Sequence, residues 1–493
     1  MSDLLLFAPG TAATADAVGD VAFAQAMLDV EAAWVRAQAD LGLAPAAAAD
    51  TVAAAAVVGN LDLAALGADA ENGANALIPL LAQLRRAVTA ADAGADVGAA
   101  RFVHRGLTSQ DVIDTALMLL VRRSAENTLA DAEAVAAHLR DLAVAHRETP
   151  MVGRTLAQHA VPYTFGLKAA TWLQGVDTAV AALRDRVDRL PVQCGGASGT
   201  LAAVGTVTAG TGVTPLELAG RFAARLGLRP AAPWHTARLP LVEVADGFAL
   251  LADALGKLAT DVVLLSRPEI AELSEPTAPG RGGSSAMPQK RNPVLSVLIR
   301  RTALSVPQLI AQLHLAAALA DDERPDGAWH TEWPALAMLL RLVPSAAASA
   351  AELTGGLVVH ADRMLATLTD ASPGVLSERI TVVAAPLLRD AAGDAGTSPK
   401  DRVTAMLADA DGPGAEATPR LRARLRDAIP ADALDDAALD DLLDPTRYLG
   451  SAGELVDGVV AESAAAAQHR TSSANGSTDT PDRRPVPSGE EHP

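Results

Sequence analysis

The sequence is poor in cysteine, in aromatic residues and in positive charge. Cys194 is the single cysteine, so no intramolecular disulfide can form, which favours the reducing cytoplasm as its location. Aromatic residues are only 3% of the 493 residues while alanine is abundant, and this composition favours closely packed helices over a β-sandwich. The formal net charge of −19 argues against a nucleic-acid partner, because phosphate backbones attract basic surfaces.

The sequence also lacks targeting, membrane and metal-binding signals. Its first residues, MSDLLLFAPG, have no basic region and too short an apolar run for a secretory signal. The uncharged stretch 190–216 is interrupted by six glycines, which argues against a transmembrane helix, so we expect no membrane partner. No HExxH, paired CxxC or comparable ligand pattern is present, and we therefore expect neither a metal nor another cofactor.

The chain is too long for one compact core, and its patterns change along its length. Residues 1–105 predict an N-terminal domain of short helices, and residues 106–355 predict a central domain of long helices. Residues 356–465 predict a smaller C-terminal helical domain. Residues 466–493, polar for most of their length, are predicted to be a disordered tail.

The central region has the pattern of a helical bundle. Leu251, Leu255, Leu258, Val262 and Leu265 are spaced alternately by four and three residues, which is typical of a buried seam between helices. A helix of about 30 residues would span about 45 Å, which is more than one small domain can cover. The sequence thus predicts an all-α fold of three helical domains, with a central long-helix bundle completed by tetramerisation.

One loop, PTAPGRGGSSAMPQKRNP at 276–293, is locally cationic in an acidic protein. It has no acidic side chain, and it contains Arg281, Lys290 and Arg291 beside paired serines and three glycines. Glycines expose backbone N–H groups, and fixed cations favour a bound anion. The loop is therefore interpreted as the site of a small anion, and the alternative is a solvated linker.

The segment 283–293 resembles the signature loop of the fumarase/aspartase superfamily, whose pattern is GSSxMPxKxNP. The resemblance implies that Ser284 removes a proton from the carbon alpha to a carboxylate. It also implies that Lys290 and Asn292 grip carboxylate oxygens, with Ser285 beside them in the substrate site. Ser284 and Lys290 are accordingly the predicted catalytic residues.

A second segment, HRGLTSQDVIDTALML at 104–119, has the capping-box spacing of Thr108 and Asp111, which predicts the start of a long helix. A good N-cap is the simplest interpretation of that spacing. The segment is also similar to the superfamily's TSxDxxDTA, whose hydroxyl groups bind a substrate carboxylate. This similarity implies that Thr108 and Ser109 bind substrate, with Gln110 as their neighbour.

Histidines inside the superfamily-like segments are further candidates for the substrate site. His104 opens the segment just described, and His159 lies in GRTLAQHAVPYTFGLKAATW at 153–172. Adenylosuccinate lyases and fumarases resemble this last segment but have GRTH, whose histidine assists the leaving group. Leu156 stands at that position here, and a leucine cannot donate a proton.

The loss of this histidine indicates the kind of reaction. A general acid contributes about 10² to 10⁴ in rate, and an amine or hydroxide leaves poorly without one. A carboxylate leaves unassisted because its conjugate acid has a pKa of about 4. Lactone opening and closure is the superfamily reaction of that kind, catalysed by the 3-carboxy-cis,cis-muconate cycloisomerases of protocatechuate breakdown, the β-ketoadipate pathway.

The segment DDERPDGAWHTEWP at 321–334 likewise resembles the cycloisomerases. Within it, Arg324 is assigned to the additional carboxylate of a small tricarboxylate substrate, because guanidinium binds carboxylate in a bidentate manner. An ordinary surface charge is the alternative for this arginine. For the whole chain, the alternatives are an adenylosuccinate lyase-type C–N lyase that releases fumarate and a catalytically silent scaffold. The resemblance further implies a homotetramer whose active sites are each shared by three subunits.

Overall fold

The computed structural model describes residues 6–93, 97–389 and 396–476, and it confirms the predicted all-α fold. The helices are α1 Ala12–Ala15, α2 Asp20–Asp40, α3 Ala46–Ala55, α4 Leu63–Ala70, α5 Leu77–Ala91, α6 Ser109–Ala145, α7 Phe165–Val187, α8 Ala202–Thr208, α9 Pro215–Leu226, α10 Leu239–Leu265, α11 Val294–Ala318, α12 Gly327–Gly355, α13 Ala361–Asp370, α14 Ser377–Ala384, α15 Pro399–Asp409, α16 Gly414–Ala428, α17 Asp436–Leu443 and α18 Ala452–Gly476. The strands are β1 Pro150–Thr155, β2 Gln158–Thr164, β3 Leu273–Ser274 and β4 Val358–Val359, and they form two antiparallel pairs, β1 with β2 and β3 with β4.

The chain forms two compact units. The first comprises Met1–His138 with Gly175–His360, and the second comprises Leu139–Gln174 with Ala361–Pro493. The three-domain division predicted from the sequence stays a prediction. The tail was predicted from residue 466, but α18 continues to Gly476, in keeping with the helix-forming alanines that precede it. The remainder of the predicted tail, 477–493, lies outside the described residues.

The core of the first unit is a bundle of α10, α11 and α12, which pack against one another. The predicted seam is confirmed, because Leu251, Leu255, Leu258, Val262 and Leu265 are all buried. A glycine brings two of these helices unusually close. A Cβ built on Gly256 of α10 would lie 2.5 Å from the Cβ of Ala303 on α11, so a larger side chain would force the helices apart.

Two bundle helices, α11 and α12, are long and apolar enough to cross a membrane by length and composition alone. Core helices of folded proteins share these properties, and two thirds of the relevant window of α12 is buried inside the protein. Only 28% of the α11 window is buried. The uncovered face of α11 presents Leu304 and Leu315, which are 70% and 61% exposed.

The region predicted to be dominated by long helices also contains a β-hairpin at 150–164, which the helical interpretation missed. β1 and β2 pair in antiparallel register from Pro150 opposite Thr164 to Thr155 opposite Gln158. The turn between them is formed by Leu156 and Ala157, both with left-handed backbone angles of φ 49° and 65°. Two such residues in succession match the twist of a two-residue hairpin turn. Glycine or asparagine normally fills these positions, so Leu156 and Ala157 did not indicate a turn in the sequence.

Candidate active site

The predicted helix start at Thr108 is confirmed, since α6 begins at Ser109. The carboxylate of Asp111 accepts a hydrogen bond from the Thr108 backbone N–H at 3.0 Å. The same fully buried carboxylate accepts from the N–H groups of Gly195 and Gly196 at 2.8 and 2.9 Å. Its Oδ1 also lies 2.9 Å from Nε2 of His235. Asp111 therefore joins the Thr108 segment to a glycine loop from elsewhere in the first unit.

A second carboxylate one helical turn later organises a buried ionic network. Asp114 accepts from both terminal nitrogens of Arg238 at 2.7 and 3.0 Å and from the indole N–H of Trp329 at 2.9 Å. Arg238 also donates to both carboxylate oxygens of Glu332, at 2.6 and 3.0 Å. These four side chains are nearly or completely buried. The network fixes α6 against α12 and the residue that precedes α10.

The charges in this network stabilise each other against burial. Burial by itself lowers the pKa of Arg238, but the Asp114 and Glu332 carboxylates outweigh burial and hold that pKa above its ordinary value. Burial raises the pKa of Glu332, and the Arg238 guanidinium only partly offsets the rise. Removing the arginine would therefore leave two carboxylates without a buried cation.

The structure brings together two of the segments that the sequence predicted for the site. The guanidinium of Arg324 donates a hydrogen bond to the side-chain hydroxyl of Thr108. In sequence, Thr108 precedes the buried Asp111, and Arg324 precedes Trp329 of the buried network. Arg324 is exposed, so its remaining N–H groups are available to an anionic ligand.

Two further candidates from the Thr108 segment are held by buried partners. Gln110 is fully buried, and its side-chain amide donates to the His235 carbonyl at 2.8 Å. It therefore supports the segment and does not face open solvent in this chain. His104 is partly buried and contacts the carboxylate of Glu31 on α2. Ser109 is half-buried at the start of α6.

Hydrogen bonds within the cationic loop 276–293 join Gly282 to Asn292. The Gly282 carbonyl accepts from the backbone N–H of Asn292 at 2.9 Å and from its side-chain amide at 3.1 Å. Ser284 is half-buried, and its Oγ accepts from the Met287 N–H at 3.2 Å. Lys290 and Ser285 are exposed. The sequence interpretation missed that the Asn292 side chain also maintains the shape of the loop.

The cationic loop is held by contacts with residues other than the remaining site candidates. Within the described ranges, no hydrogen bond or ion pair joins it to Thr108, Ser109 or Arg324. Its C-terminal end is anchored instead by Glu275, whose carboxylate accepts from the N–H groups of Leu295 and Ser296 at 3.1 and 2.7 Å. These contacts occupy the positive end of α11 with a protein carboxylate.

His159 lies in the second compact unit, exposed on β2 next to the hairpin turn. Leu156 forms the tip of that turn and is 98% exposed. A large aliphatic side chain in water is unfavourable, as is a left-handed backbone angle at a residue that carries a Cβ. Neither feature stabilises the single chain, and backbone conformations of this kind are concentrated at functional sites.

Sequence reasoning missed the buried groups that support the site, namely Glu31, Asp114, Arg238 and Glu332. A charged residue inside an otherwise apolar helical pattern was the available signal, because such residues are rarely buried without a partner. The partners could not be read from the sequence. A cavity of about 1080 Å³ in the second unit, bordered by Arg379, Lys400 and Tyr448 among others, contains none of the predicted site residues.

Comparison with known proteins identifies the class of protein. Residues 11–307 match the protein family described as Lyase. A nitrosuccinate lyase of Streptomyces davaonensis is 46% identical, over 92% of this chain and 94% of that protein. A 3-carboxy-cis,cis-muconate cycloisomerase of Bradyrhizobium diazoefficiens is 40% identical, over 90% of this chain and 98% of that protein.

A solved structure agrees with these sequence relatives. The crystal structure of the 3-carboxy-cis,cis-muconate lactonizing enzyme from Pseudomonas putida superposes with a TM-score of 0.79 at 35% identity, covering 92% of this chain and 97% of that chain. The chain therefore belongs to the lyase family of the fumarase/aspartase superfamily, a class of enzymes. The predicted resemblance to the cycloisomerases of this superfamily is confirmed.

The buried network makes a stability prediction. Arg238→Met should lower the free energy of unfolding by about 3–5 kcal/mol, because Asp114 and Glu332 would remain buried without their cation. Urea denaturation measures the change. Arg225→Met is the matched control, since Arg225 pairs with Asp40 at the surface, where water screens the charges, and it should change stability little. Equal effects of the two substitutions would contradict the assigned role of the network.

Proposed function

We propose that this enzyme converts 3-carboxy-cis,cis-muconate to 4-carboxymuconolactone. The observation that carries the proposal is Leu156, which stands where the amine- and hydroxide-releasing relatives have a histidine. In the lactone-opening direction the leaving group is a carboxylate, which needs no proton. A site without that acid is suited to this reaction and poorly suited to release of an amine.

In the proposed mechanism, one substrate carboxylate adds through oxygen to a double-bond carbon while the carbon alpha to another carboxylate gains a proton. In the reverse direction, Ser284 removes that alpha proton. The Met287 N–H points at the Ser284 oxygen and would stabilise negative charge on it. Lys290 is exposed and has no ion-pair partner in the described part of the chain, which leaves its charge for a ligand.

Negative charge would accumulate on the carboxylate beside the carbanion. Lys290, the Asn292 amide and the loop N–H groups would stabilise this charge more strongly in the transition state than in the bound substrate. Thr108, Ser109 and Arg324 would bind a second carboxylate. The contact between Arg324 and Thr108 supports a shared subsite. The rest of the substrate site would be formed by Ser285, His104 and His159, with the buried Gln110 in support.

A second candidate is elimination of nitrite from nitrosuccinate, which is favoured by the 46% identity to a nitrosuccinate lyase. Nitrite also leaves without a proton, so Leu156 is compatible with this reaction. Both reactions need a base for an alpha proton and cations for carboxylates. An adenylosuccinate lyase-type reaction fits less well because its leaving amine needs protonation. A silent scaffold fits less well because Ser284, Lys290 and Asn292 are all present.

Direct comparison of substrates tests the proposed reaction. We expect the highest kcat/KM with 3-carboxy-cis,cis-muconate, followed through loss of its conjugated-diene absorbance. Adenylosuccinate should be cleaved more slowly by at least about 10², because the general acid is missing. Nitrosuccinate, followed through nitrite release, should have a lower kcat/KM than carboxymuconate. A higher kcat/KM with nitrosuccinate would transfer the proposal to the second candidate.

The proposed base makes a separate prediction. Ser284→Ala should lower kcat by at least about 10² while substrate binding survives through Lys290 and Arg324. Solvent deuterium should enter the alpha carbon of the lactone with the wild-type enzyme and fail to enter with the variant. Ser305→Ala is the control, because the Ser305 hydroxyl only donates to the Arg301 carbonyl within α11. Near-normal turnover by Ser284→Ala would assign the base to another residue.

We also propose a homotetramer whose active sites are each shared by three subunits, as the superfamily resemblance implies. Two observations support this assembly. The uncovered face of α11 has exposed Leu304 and Leu315, and burial of such a face favours association. The loop that holds Ser284 also makes no hydrogen bond, within the described residues, to Thr108, Ser109 or Arg324.

Mixing of inactive chains tests the shared sites. Ser109→Ala and Ser284→Ala homotetramers should each be nearly inactive, whereas mixed tetramers should regain part of the wild-type kcat. Recovery follows because some sites in a mixed tetramer receive both residues from unaltered segments. Sedimentation and native mass spectrometry verify the mixing. A monomeric protein, or verified mixed tetramers without recovery, would contradict the arrangement.

A further inference from the structure

Helix α2 fastens the segment that leads into Thr108 and Ser109. Three buried residues on one face of this helix, Glu31, Trp34 and Gln38, are spaced by three and four positions. Gln38 donates to the Phe102 carbonyl at 3.1 Å, and the Trp34 indole donates to the Arg105 carbonyl at 3.0 Å. Glu31 contacts His104, which also lies in this stretch. The face therefore positions a short stretch of backbone through polar contacts.

Glu31 differs from its two neighbours because it holds a side chain as well as backbone. One of its carboxylate oxygens accepts from the His104 backbone N–H at 2.8 Å, and the other lies 2.7 Å from the imidazole Nδ1. Glu31 is fully buried. His104 has a left-handed backbone angle, φ 61°, which is unfavourable for a residue with a Cβ. The two contacts hold His104 in this conformation.

The contact determines which ring nitrogen can meet a ligand. A carboxylate facing Nδ1 fixes a proton on that nitrogen and turns Nε2 away from Glu31. The His104 side chain remains 15% exposed, and Nε2 makes no hydrogen bond to any residue that the structure describes. The ring thus has one nitrogen committed to the protein and one directed away from it.

The same short segment brings this ring close in sequence to the proposed carboxylate subsite. Gly106 lies between them, with φ 89° and so little room that a Cβ would lie 3.3 Å from the backbone of Val204. Packing thereby fixes the path of the chain from His104 to Thr108. Thr108 in turn contacts Arg324. The imidazole, the hydroxyl and the guanidinium are all suited to binding a carboxylate.

We propose that Glu31 is a positioning residue that directs Nε2 of His104 toward a substrate carboxylate. When Nδ1–H donates to Glu31 and Nε2–H donates to that substrate carboxylate, the ring carries both protons, and the Glu31 carboxylate behind it offsets the resulting charge. This inference rests on the proposed function in one respect, namely that the substrate carries carboxylates beside Thr108. A purely structural role for Glu31 would hold the loop without affecting ligand binding.

Kinetics of matched variants separate these roles. Glu31→Gln keeps the shape and an acceptor oxygen but removes the charge, and it should raise KM for carboxymuconate about ten-fold while kcat changes less than about three-fold. His104→Ala should behave similarly. Adding Glu31→Gln to His104→Ala should raise KM no further, because Glu31 acts through the ring.

Gln38→Met is the control, since it releases the Phe102 carbonyl from the same helix face without touching the imidazole. It should lower the Tm and leave KM unchanged. An unchanged KM in folded Glu31→Gln, or a Gln38→Met variant whose KM rises as much as that of Glu31→Gln, would overturn the positioning role.

A readout independent of turnover uses diethyl pyrocarbonate, which modifies accessible imidazole nitrogens, with peptide mass spectrometry of His104. Tricarballylate, a saturated tricarboxylate, should protect His104 in the wild-type enzyme and protect it at least about ten-fold less effectively in Glu31→Gln. Protection in an enzyme that does not turn over carboxymuconate would reject the proposed substrate and support this inference. Turnover of carboxymuconate without any protection of His104 would overturn the inference alone.

Discussion

The site depends on two buried carboxylates, Asp111 and Asp114, at the start of α6. Asp111 gathers backbone N–H groups from Thr108 and the glycine loop, while Asp114 pairs with Arg238. A buried carboxylate is costly unless it is paired and hydrogen-bonded. The cost ensures that the segments supplying these partners pack in one arrangement. The candidate side chains of the Thr108 segment are positioned as a consequence of that requirement.

Charge is distributed differently in the buried support and at the exposed surface of the site. The support balances its charges internally, as Arg238 does between Asp114 and Glu332. The exposed groups, Lys290 and Arg324, present cations to solvent in a protein of net charge −19. An overall negative field disfavours an anionic ligand at long range, and screening limits that effect to about 10 Å. Binding of an anionic substrate at the candidate site would therefore depend on short-range recognition by positioned cations.

Several features of the single chain are unfavourable by themselves. Leu156 is an exposed leucine in a left-handed turn, and α11 has an uncovered apolar face. His104 is left-handed because a buried glutamate holds it. Local strain of this kind persists only where the surroundings enforce it, and it concentrates at functional sites. These features lie outside the buried ionic network, whose charges are paired within the chain, and fall on surfaces where we propose that substrate or another subunit binds.

The sequence by itself determined the helical class, the seam from Leu251 to Leu265, the start of α6 and the superfamily, because these follow from local periodicity, capping and a long motif. It also identified Ser284, Lys290, Thr108 and Arg324 as candidates through motif resemblance. Only the tertiary structure decided that Arg324 meets Thr108, that Gln110 is buried and that Glu31 holds His104. The contacts of Arg324 and of Glu31 join residues that are far apart in the chain. The burial of Gln110 likewise depends on the residues that pack around it. Their partners are selected by packing and by the cost of unpaired buried charge, which no local pattern records.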